Sequence, residues 1–330
     1  MKILLIGGID GNTGPSNVNK KIINASKGNI NYLKNKNKLL KYIELLSKIL
    51  FSNIILYSGF SNSDLIIHKF CKLLKKKEIY LMHGCIKYEN EINKLHMNSR
   101  LLKKEEVFIN SVDMILTVSL NYKKWVKKYY KNLNVPIEVL YNGIELENRK
   151  KVSKKNIIAL AGGNRNIKNN KLVCDVIDQI NFNDKKSIQV YLFGRIYNNN
   201  EKIKNNCVTV MGHLNKEKYY SELDKCKLFI CDSLVESFNL SIVDAINCNC
   251  RLLIEKNVGI SSILNLDENE MIYNKFDFDE IKNKIINLID NFDYKDDYVK
   301  NANQYTWEAE YKKLYDICLK LVDEKKKYDK

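Results

Sequence analysis

Proline, histidine and long apolar runs are all scarce in this chain of 330 residues. Two prolines leave no room for a polyproline spacer or a proline-rich low-complexity arm. Four histidines and nine cysteines include no C-x-x-C pair, and Cys248 and Cys250 stand too close together for a zinc knuckle. An odd number of cysteines without a paired spacing fits reduced thiols, so a cytoplasmic chain is expected. The opening apolar stretch, residues 3–6, is too short for a signal peptide, and no later run approaches the length of a membrane span. The glycine-rich stretch that follows it, from Gly7 to Gly14, lacks the G-x-G-x-x-G register, and no acidic residue closes a second strand near Asn31. The nicotinamide fingerprint is therefore absent, and no cofactor is expected. No D-x-D motif stands at the end of a strand, since Asp277-Phe278-Asp279 opens a helix and looks like a cap. No metal ligand set is expected.

What is present points to a folded α/β protein. Apolar residues make up 45% of the chain, and its length exceeds what one core usually serves, so two domains are expected. Apolar strand-like runs alternate with helical periodicity: strands over 2–6, 53–57 and 78–82, helices over 39–50 and 63–74, with the pattern restarting at 156–161. The polar run 147–155 reads as the linker. The net charge of +16 is unevenly shared. Residues 1–150 hold 26 Lys and Arg against 12 Asp and Glu, a net of +14, whereas residues 151–330 hold 29 against 27. A basic half suits nucleic acid, an anionic membrane surface or an anionic substrate.

The most informative stretch runs from Cys231 to Ala245. An apolar strand at 228–231 leads through a loop to a helical pattern with Asn239 as a candidate N-cap, so Glu236 lies just before the helix and Asp244 inside it. Backbone N–H groups at a helix start favour phosphate, and carboxylates accept hydrogen bonds from sugar hydroxyls. Earlier, Gly162-Gly163-Asn164-Arg165-Asn166-Ile167-Lys168 follows a strand: glycines permit close backbone approach, and an arginine fork with a lysine point charge can grip a diphosphate.

The spacing Glu236, Phe238, Leu240, Asp244 resembles the E-x-F-G-L-x-x-x-E signature of family-four retaining glycosyltransferases, with Asn239 where glycine is usual and Asp244 where glutamate is usual. Other segments resemble the same family: His83-Gly84 after a strand, Asp113-Met114-Ile115 leading to Val118-Ser119, Asn142-Gly143-Ile144, and Thr306-Trp307 before a last helix. In the phosphate loop Lys168 keeps the family position, and the arginine is displaced to 165. The resemblance implies a GT-B architecture of two Rossmann-like, doubly wound domains facing a central cleft. Residues 1–148 would bind the acceptor, residues 149–305 the nucleotide-sugar, and a helix over 306–330 would return toward the first domain.

It further implies transfer of a sugar with retention and without a metal, in the assembly of bacterial surface glycans. Glu236, His83, Lys168 and Arg165 are then the candidate catalytic residues. Asp244, Ser237, Phe238, Asn239, Leu240, Gly14, Gly163 and His213 would bind the donor, and Arg100 and Lys104 the acceptor. The expected partners are a nucleotide-sugar, a glycan or lipid-linked acceptor, and an anionic membrane surface at the cytoplasmic face. A UDP-sugar 2-epimerase shares the two-domain plan but needs more cleft acids and histidines than this chain readily supplies. A nucleic-acid-binding protein would rest on charge alone, without a reading helix or an aromatic ribonucleoprotein motif, and no nucleic-acid partner is expected.

Overall fold

The computed structural model describes residues 1–11, 13–35, 37–147 and 149–328. The expected domain boundary at residue 148 lies outside these described residues. The chain divides into two compact units, one of Met1–Lys87, Met97–Ile144 and Asn301–Lys330, the other of Tyr88–His96 and Glu145–Lys300.

The first unit is built on strands β1 (Ile3–Ile6), β2 (Ile30–Tyr32), β3 (Ile54–Ser58), β4 (Lys77–Met82), β5 (Met114–Thr117) and β6 (Ile137–Val139). They form one parallel sheet in the order β2-β1-β3-β4-β5-β6. All residues of β1 and β3 are buried, as an all-parallel sheet requires when helices cover both faces. The crossovers are α1 (Gly14–Ala25), α2 (Lys38–Phe51), α3 (Asp64–Leu73), the short α4 (Ile86–Ile92) with α5 (Ser99–Ile109), and α6 (Leu120–Tyr129). Their starts follow legible chemistry, because Thr13, Asn37, Asn98 and Ser119 each accept a backbone N–H of the first turn.

The second unit repeats the plan. Strands β7 (Lys155–Ala161), β8 (Gln189–Phe193), β9 (Val208–Gly212), β10 (Cys226–Cys231), β11 (Arg251–Glu255) and β12 (Met271–Ile272) form a parallel sheet ordered β12-β11-β10-β7-β8-β9. Helices α7 (Asn170–Asn183), α8 (Lys216–Leu223), α9 (Leu240–Asn247) and α10 (Phe278–Asp290) connect them. Ile177, Ile180, Leu228, Ile230, Ile281 and Ile285 are among the residues of the core between the sheet, α7 and α10. As expected, Asp277 is a cap: its side chain accepts Glu280 N at 2.9 Å. The last helix, α11 (Trp307–Tyr328), belongs to the first unit, where it packs on α1.

One segment departs from the sequence reading. Tyr88–His96 stands within the stretch assigned to the first domain, yet it groups with the second unit. Hydrogen bonds that hold it there include those from Asn166 Nδ2 to Ile92 O (3.0 Å), from Ile167 N to the buried Asn93 Oδ1 (3.1 Å) and from Asn199 Nδ2 to Lys94 O (3.5 Å).

Candidate active site

In each sheet the chain winds outward in both directions from a central pair of strands, and the loops leaving the carboxyl ends of that pair diverge. Such a switch point is where open α/β sheets bind ligands. In the second unit the pair is β7 and β10. The loop after β7 carries Arg165 and Lys168, and the loop after β10 carries Glu236.

The first loop is shaped by two glycines with positive φ, Gly162 at +95° and Gly163 at +62°. A Cβ on Gly162 would lie 2.8 Å from Lys168 Cγ, and one on Gly163 would lie 1.8 Å from Arg195 O. The close approach these glycines permit is thus to the chain's own atoms. Gly163 N donates to Phe193 O (2.8 Å) and Gly163 O accepts Asn170 Nδ2 (2.7 Å), so both of its backbone groups are engaged within the fold. Gly163 seats the loop against the end of β8.

The second loop is tied to the first. Leu234 N donates to Ile167 O (2.8 Å), Asn169 Nδ2 to Asp232 Oδ2 (2.7 Å), and Lys275 Nζ to Leu234 O (2.7 Å). Gly259 N and Ile260 N hold the carbonyls of Glu236 and Phe238 from the far side (3.0 and 3.1 Å). These restraints bring Lys168 Nζ into an ion pair with Glu236 Oε2, the two side chains each 13% exposed. Arg165, half-buried beside them, donates from Nε to Gly162 O (3.3 Å).

Asn239 caps α9 through Oδ1, which accepts Ser241 N (3.1 Å), while its Nδ2 reaches Cys231 Sγ (3.1 Å). Its φ is +81°. That explains the departure from the usual glycine, because asparagine is among the side chains that best tolerate positive φ. Ser237 and Leu240 flank this cap and are half-buried, whereas the Phe238 side chain is in the core. Asp244, in the second turn of α9, accepts Tyr220 OH at 2.5 Å. Burial raises its carboxyl, and the tyrosine hydrogen bond and Lys216 act against that rise. His213 is exposed beyond β9 at the sheet edge.

Sequence reasoning missed Glu89. It rides on the Tyr88–His96 segment, and its carboxyl is raised by burial, with Arg165 and Lys168 opposing the shift and Glu236 adding to it. Two acids and two cations therefore share one electrostatic neighbourhood in the second unit. No motif marks Glu89, since only the packing of its segment against residues 166–167 brings it there.

His83, Gly14, Arg100 and Lys104 belong to the first unit. Its switch point lies between β1 and β3, where Ser58 and the Gly7-Gly8 loop meet. Asn19 Nδ2 donates to Gly8 O (2.8 Å), which directs Asn19 Oδ1 to accept Ser58 Oγ–H (2.6 Å). Ser58 Oγ then accepts from His83 Nε2–H at 2.8 Å. Desolvation of the ring pushes the imidazole down to about 4, so it is neutral near pH 7 with Nδ1 as an acceptor. Gly14 opens α1, and nothing lies within 4 Å of the place a Cβ would take there. Arg100 and Lys104 are exposed on α5, and Lys104 Nζ reaches Asn62 Oδ1 at 3.3 Å.

Residues 144–305 match the profile of the family described as glycosyl transferases group 1. That segment, just under half of the chain, is similar to the group 1 glycosyl transferases. Arg165, Lys168, His213, Glu236 and Asp244 all lie in the matched segment, whereas His83, Glu89, Arg100 and Lys104 lie before it. An uncharacterized glycosyltransferase of Methanocaldococcus jannaschii is 24% identical over 214 residues, which cover 64% of this chain and 60% of that protein.

The fold of the chain is GT-B. Sucrose-phosphate synthase from Thermosynechococcus elongatus superposes with a TM-score of 0.74 at 12% identity, covering 97% of this chain and 98% of the other. HepE of Anabaena, solved in complex with UDP and glucose, gives 0.64 at 12% identity, covering 99% of both chains.

Proposed function

We propose that this protein is a group 1 glycosyl transferase that moves a sugar from a nucleoside diphosphate donor to an acceptor, with retention at the anomeric carbon and without a divalent metal. The Lys168–Glu236 ion pair at the switch point of the second sheet carries the proposal. Without donor, the two groups neutralise each other. A bound diphosphate would draw Lys168 to its oxygens and release Glu236 to accept hydroxyls of the transferred sugar. Arg165 adds a fork beside it, so two cations take the charge that grows on the leaving diphosphate, the part a divalent ion plays in other transferases. Asp244 would take the ribose hydroxyls in exchange for the Tyr220 hydroxyl. HepE binds UDP and glucose by the description of its structure, which supports this donor class.

From the first unit, the neutral His83 ring would line the sugar pocket as a hydrogen-bond acceptor, and Gly14 would leave space at the start of α1. A retaining front-face transfer, in which the acceptor oxygen bonds on the side from which the diphosphate departs, requires no histidine base. Arg100 and Lys104 would meet an anionic acceptor.

The place of work in this reading is the inner face of a bacterial membrane, on glycan or lipid-linked acceptors. Among the described residues no helix is long and apolar enough to cross a membrane, and the first 150 residues carry a net charge of +14. Each lysine near an anionic surface adds about 1 kcal/mol of attraction, so attachment would be peripheral and weakened by salt.

Two variants test the site. Glu236→Ala is expected to abolish transfer while leaving nucleoside diphosphate binding largely intact, and Asp244→Ala to weaken both, as read by calorimetry beside a turnover assay. Equal loss of nucleoside diphosphate affinity in the two would refute this division of labour.

A further inference from the structure

Behind the Lys168–Glu236 pair, three loops of the second unit are joined in a closed ring. Asn169, at a φ of +54°, points its Nδ2 at two acceptors, Asp232 Oδ2 (2.7 Å) and Lys275 O (3.1 Å). Lys275 follows β12, and its side chain turns back to donate from Nζ to Leu234 O (2.7 Å). Leu234 N in turn donates to Ile167 O (2.8 Å). The ring therefore ties the loop after β10 to the loops after β7 and β12, and Glu236 stands two residues beyond its Leu234 member.

Three carboxyls influence one another here, and they are unequally provided for. Glu255, at the end of β11, accepts Asn257 N (2.9 Å) on one oxygen and Asn257 Nδ2 (2.7 Å) on the other. Glu280, on α10, likewise accepts Tyr273 N (2.8 Å) and Asn274 N (2.9 Å) and pairs with Lys284. Asp232 is 1% exposed, and its Oδ1 is buried with no donor among the described residues. Lys275 is near enough for its charge to act on this carboxyl, yet it directs Nζ to the Leu234 carbonyl. An ionised Asp232 would hold a buried charge on an oxygen without a donor, which is costly, so the geometry favours the neutral acid. Burial pushes its carboxyl up, with Glu255 and Glu280 adding to the rise and the Asn169 hydrogen bond and Lys275 opposing it.

We propose that Asp232 and Lys275 are positioning residues for Glu236: as a neutral acid, Asp232 leaves Lys275 to anchor Leu234 O and so seats the loop that presents Glu236 to the donor sugar. The inference rests on the sugar-binding role proposed above for Glu236. As pH rises through about 8 the acid ionises, and its carboxylate competes with a neutral carbonyl for the ammonium. Lys275 then leaves Leu234 O, and the loop after β10 loosens.

Hydrogen exchange of the full chain, read by mass spectrometry on the peptide that holds the Leu234 amide, tests the seating without any ligand. After correction for the intrinsic effect of pH on exchange, the parent is expected to lose protection there by about tenfold between pH 7 and pH 9, the scale of one lost hydrogen bond to a charged group. Asp232→Asn imitates the neutral acid and should show no such loss. Lys275→Met should lack the protection at both pH values, and Lys275→Arg should restore it at pH 7. Retained protection of the β3 and β8 peptides reports that each variant is folded in both units. Calorimetry with a panel of UDP-, GDP- and ADP-sugars beside the matching nucleoside diphosphates then reads the consequence for Glu236. In the pair where the sugar adds affinity, that gain should shrink from pH 7 to pH 9 in the parent and hold in Asp232→Asn. Full protection of Leu234 in the parent at pH 9, a pH response of Asp232→Asn equal to the parent's, or a protected Lys275→Met would overturn the inference. So would a sugar gain that stays level while the loop loosens. If the sugar adds affinity in no pair, the role given to Glu236 fails, and the exchange data alone decide whether Asp232 and Lys275 seat the loop.

Discussion

Asp232, at the end of β10, shows how single side chains set the site. Its Oδ2 accepts Asn169 Nδ2, while Oδ1 is buried and meets no donor among the described residues. Burial, with Glu255 adding to it, pushes its carboxyl up to about 8 against the lowering effect of the Asn169 hydrogen bond. The folded state thus holds a proton that the unfolded chain releases near its ordinary value. Stability contributed by this group is present at low pH and is lost as pH rises from about 4 through about 8. Asp232→Asn keeps the shape and removes the titration, so its thermal midpoint should fall less across that window than the parent's. Parallel midpoint curves for the two proteins would refute it. Lys168 is the second residue to test. Removing a preorganised cation typically costs on the order of 10²–10³ in turnover, and Lys168→Ala is expected to show that loss with EDTA leaving the parent unaffected. Near-full activity of the variant, or inhibition by EDTA, would sink the metal-free reading.

At the scale of elements, the loop after β7 is the most constrained. Gly163→Ala would set a methyl 1.8 Å from Arg195 O at a φ of +62°. The collision is with backbone, and strain of this kind costs about 1–3 kcal/mol before any shift of β8. A clear drop in thermal midpoint is expected. Gly14→Ala is the contrasting case: nothing lies within 4 Å of its added Cβ and it opens a helix, so stability should hold while donor or acceptor kinetics change if the glycine borders the bound substrate. Unchanged kinetics would remove Gly14 from the site. The loop after β10 carries a legible signature, Glu236 to Asp244, because its spacing is local. The contribution of α4 is different: Glu89 enters the neighbourhood of Arg165 through the hydrogen bonds of Asn93 and Asn166, which join residues far apart in sequence.

For the whole molecule, each sheet has its own switch point, and the charge excess belongs to the first 150 residues. A panel of UDP-, GDP- and ADP-sugars read by thermal shift addresses the donor. A ligand at a hundred times its dissociation constant stabilises the fold by about 2.7 kcal/mol, so one class should raise the midpoint clearly and the others little. No shift with any of them would leave the nucleotide-sugar reading without support. Glu236→Ala should respond to the matching nucleoside diphosphate as the parent does.

Alternation of apolar runs with helical periodicity, the caps at Asn239 and Asp277, and the positions of Glu236 and Lys168 were all determined by the sequence alone, since each depends on neighbours a few residues away. The sequence also showed that charge gathers in one half. Only the tertiary structure decided that Gly163 serves the fold, that Phe238 lies in the core, that Tyr88–His96 packs with the second unit, and that Leu39, Ile43, Leu46 and Leu50 of α2 face outward. Those outcomes depend on which surfaces remain after sheets and helices have packed. Periodicity reports that a helix has an apolar face, and only packing decides whether that face is covered.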